Sequence, residues 1–226
     1  MNDIALNNKA LFIDFDSTFV KVETIDELAR LSLGDDPDAE YKVRMITYIT
    51  NQAMCGEIDF PGALEKRLEI LSITKDDIKK IIQQISGLVS DSFVRSRELI
   101  RSLSDSIWIV SGGFREIICP VVADFGIGDD HILANSFIYS GEQVIGCDRD
   151  GDLFKKGGKI KAIRELNLDK EIFMIGDGFT DYEVYSEGIA KAFICYTENI
   201  YRENVVNLSK HHAGSFDQAL EIIRRI

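Results

Sequence analysis

Asp14-Phe15-Asp16-Ser17-Thr18 sets two carboxylates two positions apart, directly after the apolar run Ala10 to Ile13. In extended backbone such positions share a face, so Asp14 and Asp16 are expected on one side and Phe15 on the other. Like charges held this close raise one another's pKa unless a cation or a shared proton relieves them. A carboxylate pair at a strand tip is therefore a candidate for chemistry rather than packing.

Three further segments have the same character. Ser111-Gly112-Gly113 follows Trp108-Ile109-Val110 and offers a hydroxyl and unhindered backbone N–H groups at an expected strand-to-helix turn. Such turns bind anions. Lys159 follows Gly157-Gly158 and opens a helix whose apolar face runs Ile160, Ile163 and Leu166. A lysine in the first helical turn opposes the helix dipole, where Asp or Glu is expected, but it makes sense beside a phosphate. Lys155 and Lys156 are close enough to compete for that role, with the helical register favouring Lys159. Gly176-Asp177-Gly178-Phe179-Thr180-Asp181 follows the run Ile172 to Ile175 and supplies two more carboxylates. Asp181 could serve simply as an acid at a helix start. Asp177 sits at the tip and is expected to face Asp14. Hard oxygen ligands with few neutral competitors suit Mg²⁺, which retains waters and bridges to phosphate.

These segments need a frame that brings them together. Apolar runs at Ala10 to Ile13, Ile107 to Val110, Ile172 to Ile175 and Ala192 to Cys195 read as buried parallel strands, separated by stretches of helical period. The alternation predicts an α/β fold with a doubly wound, Rossmann-like parallel sheet. The first three runs empty into the polar segments above, and ligands of open α/β sheets bind beyond the carboxyl ends of strands. Between the first two runs, about Val22 to Gly87 reads as helix throughout. Glu23 to Leu33 is broken by Gly34-Asp35-Asp36-Pro37, and amphipathic segments follow at Tyr41 to Met54, Phe60 to Leu71 and Lys75 to Ile85. A crossover needs only one helix, so residues 21–87 are expected to form an inserted helical cap over a core of residues 1–20 and 88–226. Phe137 to Leu153 alternates around Ser140-Gly141-Glu142 and predicts a small hairpin.

At 226 residues and 45% hydrophobic content the chain can bury a sizeable core. Its net charge of −12 argues against nucleic acid or an anionic membrane as partner, because both are bound through surplus Lys and Arg. An anionic small substrate would need a local positive site. Met1 to Asn8 is polar, unlike a secretory leader, and no apolar run reaches membrane-spanning length, so a cytoplasmic protein is expected. Cys55, Cys119, Cys147 and Cys195 are scattered and are read as free thiols. His131, His211 and His212 lie outside every motif and are read as surface or packing residues.

The ordered set Asp-x-Asp-Ser-Thr, Ser-Gly-Gly, a lysine at a helix start and Gly-Asp-Gly-x-x-Asp resembles the motifs of the haloacid dehalogenase-like phosphatases, and among them the phosphoserine phosphatases. The resemblance spans nearly the whole chain. It implies Mg²⁺-dependent hydrolysis of a small phosphomonoester, O-phosphoserine first, through an aspartyl-phosphate on Asp14. It further implies Asp16 as acid and base, Ser111 and Gly112 as phosphoryl donors, and Lys159 as charge balance. The metal would be held by Asp14, Asp177 and the Asp16 carbonyl, with Asp181 in support. Within the helical segment, Glu23 resembles the glutamate that receives the substrate ammonium. Arg67 resembles the arginine that pairs with its carboxylate, with Met54 and Phe60 as the apolar wall. Thr180 stands where the family has Asn or Thr and joins the substrate-binding set. Asp35 to Ile49 matches the family less closely, which bears on specificity more than on reaction type. Two alternatives follow: a phosphatase or phosphotransferase of the same superfamily acting on another small phosphate ester, and, more remotely, a receiver-like phospho-aspartate signalling module.

Overall fold

The apolar run before Asp14 is the centre of the sheet. In the computed structural model, which describes Leu6, residues 8–34 and residues 36–226, the strands are β1 (Lys9–Ile13), β2 (Ile107–Phe114), β3 (Ile132–Asn135), β4 (Phe137–Ser140), β5 (Gln143–Cys147), β6 (Glu171–Gly176), β7 (Ala192–Tyr196) and β8 (His211–Ala213). The reading of the N-terminal residues as leaderless falls largely on residues 1–5 and 7, outside those described, as does Asp35 of the expected helix break.

Six strands form one parallel sheet in the order β3-β2-β1-β6-β7-β8. The chain winds outward from β1 in one direction and from β6 in the other, so the switch point lies between them, where α/β sheets place their ligands. Ile13 pairs with Ile175, and the Asp14 N–H donates to the Ile175 carbonyl at 2.9 Å. The tips carrying Asp14 and Asp177 are therefore level neighbours. Both sheet faces are covered. Leu11 and Ile13 pack into one buried cluster and Ala10 and Phe12 into the other, which is why these strands read as unbroken apolar runs.

The helices are α1 (Thr24–Ser32), α2 (Ala39–Met54), α3 (Phe60–Ile70), α4 (Lys75–Ser86), α5 (Asp91–Arg95), α6 (Arg97–Ser102), α7 (Arg115–Ala123), α8 (Gly158–Glu165), α9 (Phe179–Ser186), α10 (Glu203–Val206) and α11 (Phe216–Arg225). Local signals set the starts of α3 and α4. Asp59 accepts from the Gly62 N–H, and Thr74 and Asp77 form a reciprocal capping box. Helices α1 to α3 share small clusters of their own, Ala29 with Leu33 and Ile46, and Ile49 with Ala53 and Ala63, while α4 packs on α7. The chain leaves the core and returns to it side by side: Val20 pairs antiparallel with Val89, and Lys21 N–H donates to the Leu88 carbonyl at 2.8 Å.

Some expectations need correction. The short edge strands β3 and β8 gave no sequence signal, and β8 carries His211 and His212. The hairpin ends at Cys147, and Asp152–Phe154 forms a separate helical turn. Ser111-Gly112-Gly113 is the end of β2 rather than a turn. Pairing with β3 slips between Val110 and Phe114, and that irregularity frees the segment from the ladder.

Candidate active site

Beyond β1 the chain stays extended through Asp14 (φ −69°, ψ 156°) and again at Asp16 (φ −67°, ψ 140°). Ser17 then turns left-handed at φ 54°, and the Phe15 carbonyl accepts from Val20 N–H at 2.9 Å, closing a wide turn. Phe15 is fully buried in the core, and both carboxylates face a cavity of about 260 Å³. Thr24 holds Asp16 through its N–H at 2.9 Å and through its hydroxyl.

Asp14, Asp177 and Asp181 are buried and offer carboxylate oxygens that all lie within 4.8 Å of one another. Lys159 joins two of them, its ammonium donating to Asp14 Oδ1 at 2.7 Å and to Asp181 Oδ1 at 2.6 Å. The third, Asp177, accepts from the Thr18 hydroxyl at 3.0 Å and from Arg202 Nε at 2.8 Å. Gly176 is required at its position, since a β-carbon there would stand 2.2 Å from Asp181 Oδ2.

Desolvation lifts Asp14 to about 8, with the Asp181 carboxylate adding to the shift and Lys159 opposing it. Asp16 is pushed up to about 7 by desolvation, against the hydrogen bonds from Thr24. Glu23 rises to about 8, by desolvation and then by the nearby Asp16 and Asp177 carboxylates. Asp181 is also raised, mainly by burial. Burial works to lower Lys159, but Asp14 and Asp181 outweigh it and hold the ammonium above its usual range. Five acids, Asp14, Asp16, Glu23, Asp177 and Asp181, thus crowd a region in which Lys159 and Arg202 are the cations bonded to them. An oxygen-only donor set with surplus negative charge fits a hard divalent cation such as Mg²⁺.

The cavity is lined by Asp14, Asp16, Glu23, Met54, Phe60, Arg67, Ser111, Gly112, Lys159 and Thr180, every residue singled out in the sequence except Asp177 and Asp181, which stand behind Asp14 and Lys159. Lys155 and Lys156 also reach its wall, but Lys155 donates to the Asp150 carbonyl, and among these lysines Lys159 bonds Asp14. The Ser111 hydroxyl accepts from Gly113 N–H at 2.9 Å. Arg67 is 2% exposed, and among the described residues no carboxylate lies within ion-pair distance of it. It donates instead to the Ala63 carbonyl and to Thr50 Oγ1, both at 3.1 Å, while Thr50 and Thr47 donate to Asp26.

Sequence reasoning missed Arg202. Its Nη2 donates to Glu23 Oε1 at 2.9 Å and its Nη1 to Asn51 Oδ1 at 3.2 Å, beside the bond to Asp177. A signal existed: the polar segment Thr197 to Arg202 follows the tip of β7, where the carboxyl-end rule looks for functional groups. Thr24, Thr50 and Asp26 gave none, since each is an ordinary helix residue until the fold brings it to an acid or an arginine.

Comparison with known proteins agrees with this architecture. The haloacid dehalogenase-like hydrolase family matches residues 11–185. Phosphoserine phosphatase of Homo sapiens is 31% identical over 219 residues, covering 93% of this chain and 91% of that protein. The chloroplastic phosphoserine phosphatase of Arabidopsis thaliana is 32% identical over 208 residues, 90% of this chain and 68% of its own length. The crystal structure of a phosphoserine phosphohydrolase-like protein from Francisella tularensis superposes with a TM-score of 0.85 at 35% identity, covering 95% of this chain and 99% of that one. With strand order, acid cluster and sequence relatives in agreement, the chain belongs to the haloacid dehalogenase-like hydrolase family.

Proposed function

We propose that the protein is a Mg²⁺-dependent phosphomonoesterase that converts O-phosphoserine to serine and phosphate. One observation carries the reading: Asp14 and Lys159, the cavity-facing members of the acid cluster that Asp177 and Asp181 complete, open into the same cavity as Arg67, a buried guanidinium without an ion-pair partner among the described residues. A phosphate ester that also bears a carboxylate satisfies both, and a guanidinium suits a carboxylate through its bidentate fork. Glu23, whose Oε1 accepts from Ser17 and Arg202, is the carboxyl group that would receive an ammonium. Met54 and Phe60 wall the space between, and Thr180 borders it. Relatives named phosphoserine phosphatase support the same substrate.

Asp14, Asp177 and Asp181, with the Asp16 carbonyl, would hold the ion, which supplies positive charge against the phosphoryl oxygens and keeps Asp14 ionised. The Asp14 carboxylate attacks phosphorus in line, the ester P–O bond breaks, and Asp16 gives its proton to the departing serine oxygen. Asp16 then takes a proton from the water that attacks the aspartyl-phosphate, freeing phosphate and restoring Asp14. A group raised to about 7 is matched to both transfers near neutral pH. Ser111 and the Gly112 N–H hold phosphoryl oxygens, and Lys159 balances charge across them. Residues 21–87 act as a cap that excludes water from the site. A small polar substrate and four free cysteines fit a reducing, cytoplasmic setting.

The test is Mg²⁺-dependent phosphate release from phosphoserine, phosphothreonine, phosphoethanolamine and an aryl phosphate, with an acceptor alcohol present. Phosphoserine is expected to lead by orders of magnitude, and Asp14→Asn to abolish turnover while leaving the fold intact. Equal rates across the panel would defeat the substrate assignment, and retained turnover in Asp14→Asn would defeat the nucleophile.

A further inference from the structure

Ser17 is the one residue between the acid Asp16 and the core-bound Thr18, and it holds a left-handed backbone at φ 54°. For a residue with a β-carbon that conformation costs about 1–2 kcal/mol and persists only where the surroundings over-determine it. Glycine would adopt it freely, but the serine hydroxyl donates to Glu23 Oε1 at 2.8 Å. The backbone is pinned from elsewhere. Asn199, in the segment after β7, points its side-chain amide at the turn, with Nδ2 3.1 Å from the Ser17 carbonyl, 3.2 Å from that of Thr18 and 3.4 Å from that of Val20. The same nitrogen donates to Ser90 Oγ at 2.7 Å, and Ser90, fully buried, donates onward to the Thr18 carbonyl at 2.7 Å.

Ser90 lies where the chain returns from the helical insertion, its N–H donating to the Phe19 carbonyl at 3.0 Å. One amide group therefore joins the turn behind Asp16 to both strands of the connection with the insertion. The flanking residues extend the reach of this segment: Glu198 accepts from Ser92 at the start of α5, and Arg202 binds Glu23 and Asn51.

We propose that Asn199, seated through Ser90, is a positioning residue that fixes the Ser17 turn and thereby holds Asp16 in line for proton transfer to the leaving group. The proposal rests on the phosphomonoesterase reading above. Asn199 is not among the residues that line the cavity, so its loss acts on where Asp16 stands. Misplacing a proton donor matters most when the leaving group is a poor one and least when it departs unaided.

The experiment measures kcat/KM of wild type, Asn199→Ala and Ser90→Ala with Mg²⁺ against a series of aryl phosphates of graded phenol acidity and against phosphoserine, with thermal unfolding recorded for each protein. Aryl esters lack the ammonium and carboxylate, so the slope against leaving-group acidity reports protonation and not amino-acid recognition. For Asn199→Ala the expected result is a steeper slope, with a loss of about 10- to 100-fold on phosphoserine and about threefold or less on the most acidic phenol. Ser90→Ala is expected to shift the slope the same way by less, and it decides the matter if Asn199→Ala does not fold. An unchanged slope, whether rates fall uniformly or only the melting temperature drops, overturns the proposal. Wild type inactive on every ester would instead overturn the phosphomonoesterase reading, and the role of Asn199 would fall with it.

Discussion

The ring of Phe60 lies so close over Gly112 that a β-carbon on the glycine would stand 2.2 Å from the ring's Cζ. Phe60 opens α3 and Gly112 follows Ser111 near the carboxyl end of β2, so this contact sets how closely the helices between β1 and β2 approach that end of the sheet. Gly112→Ala is expected to push the ring away and lower kcat/KM for phosphoserine by about 10- to 100-fold, since small displacements at a positioned site cost about that much. Phe60→Ala in the same chain should recover part of the loss, because the two residues are in contact and their effects should not add. Steady-state kinetics of both single variants and the double variant check this, and strictly additive losses would contradict it.

Arg67 is buried by Ala63, Thr50 and the Phe60 ring, its guanidinium carbon 5.9 Å from the ring centre. Its burial lowers its pKa, against the fields of Glu23 and Asp26. Arg67→Ala should lower kcat/KM for phosphoserine by about 100-fold, the scale of a lost charged hydrogen-bond pair, and change phosphoethanolamine, which lacks the carboxylate, far less. Arg67→Lys should restore only part, because a point charge does not reproduce the fork. A loss equal on both esters would remove Arg67 from carboxylate recognition.

Asp14 at about 8, Asp16 at about 7 and Glu23 at about 8 all stand above their unfolded values of 3.8, 3.8 and 4.5. Between the unfolded and folded values the native state binds more protons than the unfolded one, so the slope of unfolding free energy with pH is negative there. Metal-free protein is therefore expected to lose stability as pH rises from about 4 to about 8. Mg²⁺ should flatten that fall by favouring the ionised carboxylates. Melting temperatures across this range, with Mg²⁺ and with chelator, make the comparison. Identical pH profiles in the two series would place the ion elsewhere.

Arg202 bonds both Asp177 and Glu23 from a position only 6% exposed. Removing one partner of a buried ion pair leaves charge uncompensated, so Arg202→Ala should cost about 3–5 kcal/mol in denaturant unfolding. Arg202→Met, of similar length but uncharged, should be no better, because the carboxylates and not the packing create the demand. Recovery of wild-type stability by methionine would show that the aliphatic stem is what matters.

The central strands and their chemistry were legible in the sequence because each declares itself locally. Ala10 to Ile13, Ile107 to Val110 and Ile172 to Ile175 are apolar on both faces, as strands covered by helices on both sides must be, and each ends on residues with no reason to follow a core strand except function. The convergence of Asp14 and Asp177 follows from that pattern, since parallel strands place their carboxyl ends at one edge of the sheet. The edge strands β3 and β8 were not legible: a few residues paired on one side carry too short a periodicity to stand out.

What only the tertiary structure decided is everything that depends on residues distant in sequence sharing one polar group. Arg202 on Glu23, Asn199 beneath Ser17, Thr24 on Asp16 and Thr50 on Arg67 are each an ordinary helix or loop residue when read along the chain. A hydrogen bond is fixed by tenths of an ångström and by direction, whereas periodicity specifies only which side of an element faces inward. The sequence by itself determined which carboxylates, hydroxyl and lysine gather at the switch point. The fold determined how they are held, because desolvated charge must be met by whatever donors the packing brings within reach.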